Sequence, residues 1–263
     1  MGQEPLLGHV PRAQVENCFR VLTSLLSAAA RDRLIGTSPA VGIVLPRKPH
    51  VELELPGPEV VRALLDSMPD AYRIAGQLAA FAGLRQGEVL GLTVDRIDFL
   101  RRSLRVDRQM LTTTGEPHFG PPKSDASVRT VPLPDGLLAA LSKHIAAFTP
   151  GSDGLLVTYV DGRPVRRNRF GAMWRQSQAR AGVTFRFHGL RHYFASTLIA
   201  GGCSIKEVQR VMGIASAKVA LDTYGHLVPD SEDRTRGAAH AAWCALGVSS
   251  APLSKPKGAG HTA

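Results

Sequence analysis

Cysteine is scarce in this chain of 263 residues, and long apolar runs are absent from it. The three cysteines, Cys18, Cys203 and Cys244, are far apart and odd in number, which argues against a disulfide framework and against a zinc-binding cysteine spacing. No apolar run approaches the roughly 18 residues that a membrane span needs, and the N-terminus lacks a secretory signal pattern. We therefore expect a soluble cytoplasmic protein with no membrane partner.

Several motifs that carry common enzyme chemistry are also missing. The sequence has no G-x-x-x-x-G-K-[ST] loop, no G-x-S-x-G, no G-x-G-x-x-G and no pair of carboxylates on a plausible cleft. These absences disfavour ATP chemistry of the P-loop kind, glycosidases and two-metal nucleases. His188 and His192 have the spacing of two zinc ligands on a helix, but no glutamate base accompanies them and Arg191 lies between them. We expect neither a metal nor a cofactor.

The chain is strongly basic, with 32 Lys and Arg against 22 Asp and Glu, and 25 of the cations are arginine. Residues 162–206 contain eight arginines, one lysine and no acidic residue. The planar guanidinium group can bind a phosphate through two hydrogen bonds, and a surface of one sign favours a polyanion. We therefore expect a nucleic-acid partner, with Arg166, Arg167 and Arg169 contacting phosphates or the major groove; a solvated helix face is the alternative interpretation.

Hydrophobic periodicity predicts a mainly α fold with a small antiparallel β-sheet, which is an α+β class. Helices are predicted over 13–35, 58–68, 70–83, 86–91, 135–148, 167–181, 188–201, 204–212, 216–222 and 231–246. Strands are predicted over Ile97–Phe99, Leu104–Met110 and Val128–Leu133, with a loop at Thr112–Pro122. Proline-rich residues 46–57 predict a linker between residues 1–45 and a domain at 58–246, and residues 247–263 predict a disordered tail.

Four segments present groups that suit a phosphodiester. The groups are Arg85, Lys123, His188, Arg191 and Tyr224. Glu88 follows Arg85 by three residues and can orient it through an ion pair, while His188 and Arg191 would share one helix face. Singly, each segment has an ordinary structural explanation: a helix cap, a solvated lysine at a hairpin tip, a surface His–Arg pair or a core tyrosine.

Taken together, these residue types suit nucleophilic attack on a phosphate. A free phenol has a pKa near 10, so about one tyrosine in a thousand is ionised at pH 7, roughly 4 kcal/mol uphill. Cations around the phosphate ease that deprotonation and stabilise charge developing on the oxygens. A covalent enzyme intermediate conserves the energy of the phosphodiester bond, so the chemistry requires no cofactor.

The order of the four segments resembles the tyrosine recombinase family, specifically integrases of the phage type. The matching segments are Leu84–Leu92, Lys123 with Arg129–Pro134, Phe187–His192 and Leu221–Leu227. The resemblance covers about residues 55–240, essentially the catalytic domain of the family, and it implies a site-specific recombinase that acts on double-stranded DNA as a homotetramer without metal or ATP. Such a protein would associate with the nucleoid when bound to DNA.

The resemblance also assigns a role to each residue. Tyr224 would be the nucleophile that forms a 3′-phosphotyrosine link, and Arg85 and Arg191 would hold the two non-bridging oxygens. His188 would assist proton movement or hydrogen-bond the phosphate, and Lys123 would protonate the leaving 5′-oxygen. The helix at 231–246 would pack on a neighbouring protomer, with packing on its own domain as the alternative.

Two departures from the family pattern bear on activity. Ile214 stands where the family usually has His or Trp, and isoleucine cannot donate a hydrogen bond to a phosphate oxygen. Ala220 replaces a common hydroxyl residue, a milder loss. Residues 1–45 are also shorter than the helical core-binding domain of the family, so we expect a remnant of that domain. The leading expectation is an impaired recombinase; the alternatives are a non-catalytic DNA-binding remnant and, more distantly, a type IB topoisomerase.

Overall fold

The computed structural model describes residues 12–45, 55–112, 115–227 and 232–245. The chain forms two compact units, Met1–Leu53 and Glu54–Ala263. In the first unit, helix α1 spans Arg12–Arg31 and ends before Arg33, which has a positive φ of 59°. Most of the predicted linker and all of the predicted tail lie outside the described residues.

The second unit is mainly helical, as predicted. Its helices are α2 (Pro58–Ser67), α3 (Asp70–Ala82), α4 (Gln86–Leu90), α5 (Asp135–Ala147), α6 (Arg167–Ala181), α7 (His188–Ala200), α8 (Ile205–Met212), α9 (Ala217–Tyr224) and α10 (Glu232–Ala245). Proline begins α2, and Ser204 with Glu207 forms a capping box before α8. None of the described helices has the length and apolar character to cross a membrane.

Two antiparallel sheets stand among these helices. Strands β1 (Ile97–Asp98), β2 (Ser103–Val106) and β5 (Arg129–Pro132) form one sheet in the order β1-β2-β5, with Leu104 opposite Val131. Strands β3 (Gln109–Leu111) and β4 (His118–Gly120) form a separate pair. The prediction of a small antiparallel sheet is confirmed, although the β-structure is divided into two sheets.

The prediction of one strand over Leu104–Met110 is wrong. The chain leaves the first sheet after Val106 and enters the second at Gln109. Asp107 lies at this break, and its carboxylate pairs with the guanidinium groups of Arg96 at 2.9 Å and Arg108 at 3.2 Å. These ion pairs hold Asp107 between the two sheets. In a single continuous strand, Asp107 would instead lie within one sheet.

The β3–β4 hairpin is inserted in the connection between β2 and β5, which pair with each other. Strand β4 falls within the segment predicted as a loop, Thr112–Pro122. Lys123 therefore lies on the connection from one sheet to the other, and its placement at a hairpin tip is wrong. Its sequence position between two strands is correct, but the strands that flank it belong to different sheets.

Helix α3 is at the centre of the core and packs against α5 and α7. Its Ile74, Leu78 and Ala82 are almost completely buried. The helix ends at Gly83, whose left-handed φ of 65° suits glycine. A Cβ atom at Gly83 would come within 2.5 Å of the Phe194 ring on α7, so glycine also permits the close approach of α7. This contact brings the turn before α4, which begins at Gly83, next to α7.

Candidate active site

The five residues singled out in the sequence line one cavity of about 360 Å³. Arg85 comes from the turn before α4, Lys123 from the connection between the sheets, and Tyr224 is the last residue of α9. His188 and Arg191 are in the first turn of α7. The same cavity is also lined by Ser124, His192, Gly213, Ile214, Ala215, Ser216, Val219 and Thr223. Residues that are spread over 140 positions of the sequence, from Arg85 to Tyr224, therefore line the same cavity.

Arg85 is fixed on two sides. Its Nη1 donates to Oε1 of Glu88 at 2.8 Å, and its backbone N–H donates to Oε2 of the same carboxylate at 2.9 Å. Its Nη2 donates to the carbonyl of Gly213 at 3.0 Å. The predicted ion pair with Glu88 is confirmed, and about a quarter of the side chain, 27%, remains exposed toward the cavity.

A second arginine, Arg129, shares the carboxylate of Glu88. Its Nη1 and Nη2 donate to the two carboxylate oxygens at 3.2 and 2.9 Å, and its Nε donates to the carbonyl of Val211 at 2.7 Å. Burial opposes ionisation of Glu88, but the hydrogen bonds and charges of Arg129 and then Arg85 outweigh it and lower the pKa of the carboxyl. Sequence reasoning quoted Arg129 only as part of a motif; its contact lies 41 residues from Glu88, and no local signal reveals it.

We expect Glu88→Gln to lower the free energy of unfolding by about 3–5 kcal/mol, because it leaves Arg129 as a buried cation facing an amide. Since the pKa of Glu88 is lowered in the folded state, its contribution is present above the unfolded value and is lost as the pH falls through the folded pKa. Urea titration at pH 7 and at acidic pH measures both effects. Glu59→Gln on the exposed start of α2 is the control and should change stability by less than about 0.5 kcal/mol. An equally small change in Glu88→Gln would contradict the assignment.

Arg191 is almost completely buried, at 3% exposure. Its two terminal nitrogens donate to the carbonyl oxygens of Gly83 and Met212. Burial, followed by repulsion from Arg85 and Arg129, lowers the pKa of Arg191 to about 9. Two guanidinium groups, those of Arg85 and Arg129, contact the carboxylate of Glu88, and the nearby charge of Arg191 adds a third cation that an incoming anion would stabilise.

Glycine turns at two helix ends supply carbonyls to these arginines. Gly83 ends α3 and Gly213 ends α8, each in the left-handed region. A Cβ atom at Gly213 would come within 2.9 Å of the carbonyl oxygen of Ala126, so a side chain there would push against the backbone. The carbonyl of Gly83 accepts from Arg191 and that of Gly213 accepts from Arg85. The two turns therefore orient both guanidinium groups.

Tyr224 and the two histidines form a contiguous set of rings. The phenol is buried, with 3% of the residue exposed, and its oxygen lies 2.8 Å from Nδ1 of His192. The His188 ring meets His192 edge to face, with ring centroids 4.7 Å apart. The sequence analysis considered His192 as a zinc ligand and as the end of the segment Phe187–His192, but not as a partner of Tyr224, because that contact depends on how α7 and α9 pack.

The environment shifts the pKa of each of these rings. Burial raises the pKa of Tyr224, although Arg191 and Arg85 oppose the rise. Burial and Arg191 lower the pKa of His192. His188 keeps a solvent-exposed edge, yet loss of hydration at the cavity wall, with His192 and Arg191, lowers its pKa to about 4. Both imidazoles are therefore neutral near pH 7.

The arginines proposed from the basic stretch lie at a different place. Arg166 and Arg169 line a second cavity of about 930 Å³ at the start of α6, while Arg167 bonds through its backbone N–H to Oγ1 of Thr112. Nη2 of Arg166 lies 2.7 Å from Oε1 of Glu116, and Arg163 pairs with Asp161. Acidic residues outside the stretch thus partner two of its cations. Such exposed pairs contribute little and can exchange for other anions.

No group of three or more metal-ligating side chains occurs within residues 12–45, 55–112, 115–227 and 232–245. Residues 57–230 match the model described as the phage integrase family. The chain belongs to this family of tyrosine recombinases. It is 28% identical to a tyrosine recombinase XerC-like protein of Caldanaerobacter subterraneus subsp. tengcongensis, over 79% of this chain and 61% of that protein. It is 25% identical to the prophage integrase IntR of Escherichia coli K12, over 83% of this chain and 58% of that protein.

The fold agrees with this membership. The integrase of transposon Tn1549, solved with circular intermediate DNA, matches with a TM-score of 0.74 and 21% identity over 89% of this chain and 81% of that chain. A lambda integrase dimer bound to a core site matches with a TM-score of 0.58 and 17% identity over 79% of this chain and 74% of that chain. The predicted fold class is confirmed. The chain spans about three-fifths of the length of the curated relatives described above.

Proposed function

We propose that the chain is a site-specific DNA recombinase that cleaves and rejoins strands through a 3′-phosphotyrosine link at Tyr224. The observation that carries the proposal is the cavity in which the phenol meets Arg85, Lys123 and Arg191. An excess of positive charge next to a nucleophile suits a phosphodiester, whose non-bridging oxygens carry the negative charge. Membership of the tyrosine recombinase family supports the same chemistry.

In the proposed mechanism, the phenolic oxygen of Tyr224 attacks phosphorus while Arg85 and Arg191 hold the two non-bridging oxygens. The oxygen–phosphorus bond to tyrosine forms as the phenol loses its proton, the bond to the 5′-oxygen breaks, and the ammonium group of Lys123 gives that oxygen a proton. The neutral imidazole of His188 donates a hydrogen bond to the phosphate. A 5′-hydroxyl of a partner strand then displaces the tyrosine, so the phosphodiester is restored without ATP.

The proposed DNA partner also involves the second cavity. Arg166, Arg167 and Arg169 are proposed to contact the DNA backbone, and phosphates would replace Glu116 as the partner of Arg166. Exchange between two duplexes requires cleavage of four strands, and each copy carries one Tyr224. We therefore propose that four copies assemble on the DNA.

Ile214 favours a second candidate, a DNA-binding protein that has lost strand transfer. The side chain lines the cavity where the family usually places a hydrogen-bond donor. Losing such a donor costs on the order of 10²–10³ in rate. The leading proposal is therefore a slow recombinase. The alternative is a protein that binds DNA without forming a covalent link to it.

A covalent trap tests the two candidates. The purified chain is incubated with nicked duplexes of randomised sequence, in which cleavage beside the nick releases a short strand that diffuses away. We expect protease-sensitive DNA adducts that survive denaturation and share a sequence. Tyr224→Phe should form none, and Tyr193→Phe, on α7 but outside the cavity, should form them normally. DNA binding without adducts would overturn the leading proposal and support the alternative.

A further inference from the structure

His192 contacts the proposed nucleophile but has no part in the mechanism above. It lies on α7, one turn after His188, and its Nδ1 is 2.8 Å from the phenolic oxygen of Tyr224. The two ring centroids are 5.7 Å apart and the rings are tilted by 55°. This distance is that of a hydrogen bond, so a proton can pass directly between the two atoms.

The states of both groups suit such a transfer. Burial and the charge of Arg191 lower the pKa of His192, so its imidazole is neutral near pH 7 and one ring nitrogen can accept a proton. Burial raises the pKa of Tyr224, so the phenol keeps its proton. The charged and titratable groups around His192 are His188 and Arg191 on its own helix, Tyr224 on α9, and Arg85 and Lys123 across the cavity.

We propose that His192 is a further catalytic residue, whose Nδ1 accepts the phenolic proton as the bond between Tyr224 and phosphorus forms. The imidazolium returns this proton to the phenolic oxygen when the 5′-hydroxyl of the partner strand displaces the tyrosine. Lys123 gives a separate proton to the leaving 5′-oxygen and takes one back from the incoming 5′-hydroxyl, so the protons balance over the full cycle. This inference rests on the proposed function.

Chemistry explains why the transfer occurs during attack and not before it. In the resting protein, the phenol holds its proton more strongly than a neutral imidazole would, and fewer than about one phenol in a thousand is ionised at pH 7. As the bond to phosphorus forms, negative charge moves to the oxygens held by Arg85 and Arg191. The phenolic oxygen then becomes a weaker base than imidazole, and transfer to His192 becomes favourable. Solvent cannot easily replace this acceptor because Tyr224 is only 3% exposed.

His192→Asn separates proton acceptance from positioning. The asparagine amide lies near the place of Nδ1 and can still hydrogen-bond the phenol, but it cannot take up a proton at neutral pH. We expect single-turnover cleavage of the trapped DNA sequence to slow by about 100-fold in both His192→Asn and His192→Ala. The wild-type rate should also fall at acid pH as His192 is protonated, and this decline should be absent from His192→Asn. Unchanged melting temperatures and DNA affinities would show that the variants fold.

Added imidazole gives an independent test. It should accelerate His192→Ala several-fold, because the shortened side chain opens space beside the phenol, and it should not accelerate the wild-type chain. Full activity in His192→Asn, or loss of activity in His192→Ala that imidazole does not restore, would reduce His192 to a positioning residue and overturn the proposal.

A measurement without DNA distinguishes failure of this inference from failure of the proposed function. NMR of the full chain labelled with ¹⁵N-histidine reports which ring nitrogen carries the proton. We expect Nδ1 of His192 to be unprotonated and its resonance to move in Tyr224→Phe. A proton on Nδ1 would overturn the inference even if DNA adducts form. Conversely, adduct failure in the trap overturns the proposed function, and with it the catalytic role, whatever the NMR spectrum shows.

Discussion

Lys123→Ala is expected to slow cleavage of a nicked DNA substrate by about 10²- to 10⁴-fold. The leaving group is an alkoxide, which is a strong base and departs slowly unless it receives a proton as the bond to phosphorus breaks. Lys123 lies at the wall of the cavity that holds Tyr224, on an exposed connection that can approach a bound strand. The loss should appear in the rate of the single-turnover reaction, with little change in DNA affinity.

A sulfur-substituted substrate identifies the step that Lys123 assists. When sulfur replaces the bridging 5′-oxygen, the leaving group is a thiolate, which is a much weaker base than an alkoxide and needs no proton to leave. We expect Lys123→Ala to cleave this substrate almost as fast as the wild-type chain. Arg85→Ala should stay slow on it, because the charge on the non-bridging oxygens still needs a cation.

Lys143→Ala is the matched control, since Lys143 is an exposed lysine on α5 that does not line the cavity. It should cleave both substrates at the wild-type rate. If Lys123→Ala is equally slow on the oxygen and sulfur substrates, the lysine does not protonate the leaving group. Phosphate binding would then be the better account of its position.

Much of the helical fold could be predicted because local signals mark its boundaries. The helices of the second unit begin and end within two residues of the predicted positions. Pro58 at the start of α2, the capping box at Ser204, and Gly83, Gly182 and Gly213 at helix ends are signals of this kind. Because the residues at a helix end determine where the helix stops, the sequence alone is sufficient to predict these boundaries.

The β-structure was harder to predict because its boundaries depend on distant partners. Leu104, Val106 and Met110 read as one apolar strand, yet Asp107 separates two strands by pairing with Arg96, which is eleven residues away. Strand β4 is only three residues long and lies between Pro117 and Pro121, which are residues that disfavour strands. Its pairing with β3 is a tertiary contact that no local pattern contains.

The candidate site divides in the same way. Motif order predicts Arg85, Arg191 and Tyr224 as site residues, and helical spacing predicts the ion pair between Arg85 and Glu88 that the structure contains. The buried pairing of Arg129 with Glu88 and the contact of His192 with Tyr224 join residues 41 and 32 positions apart. The first contact depends on how α4 packs near strand β5, and the second on how α7 packs near α9. The sequence therefore predicts the residues that would contact a phosphate, but it does not predict the buried contacts that orient those residues.

Ile214 is the residue at which a single substitution should increase activity. It follows Gly213, whose carbonyl binds Arg85, and its side chain lines the cavity. Its backbone is held at both polar groups: the N–H donates to the carbonyl of Gln209 at 3.0 Å, and the carbonyl accepts from Nε2 of Gln209 at 3.1 Å. A new side chain at this position would therefore start from a fixed backbone beside the proposed phosphate.

We expect Ile214→His to accelerate covalent complex formation by about 10²- to 10³-fold, because imidazole adds a donor to the charge that develops on the phosphate oxygens. The measurement is single-turnover trapping on the nicked substrate. The double variant with Ile214→His and Tyr224→Phe should form no adduct, which would show that the faster reaction still uses Tyr224. Ile214→Leu keeps an apolar side chain of similar volume and should give no gain. If histidine also gives none, the missing donor does not limit the rate, and the role carried over to this position is wrong.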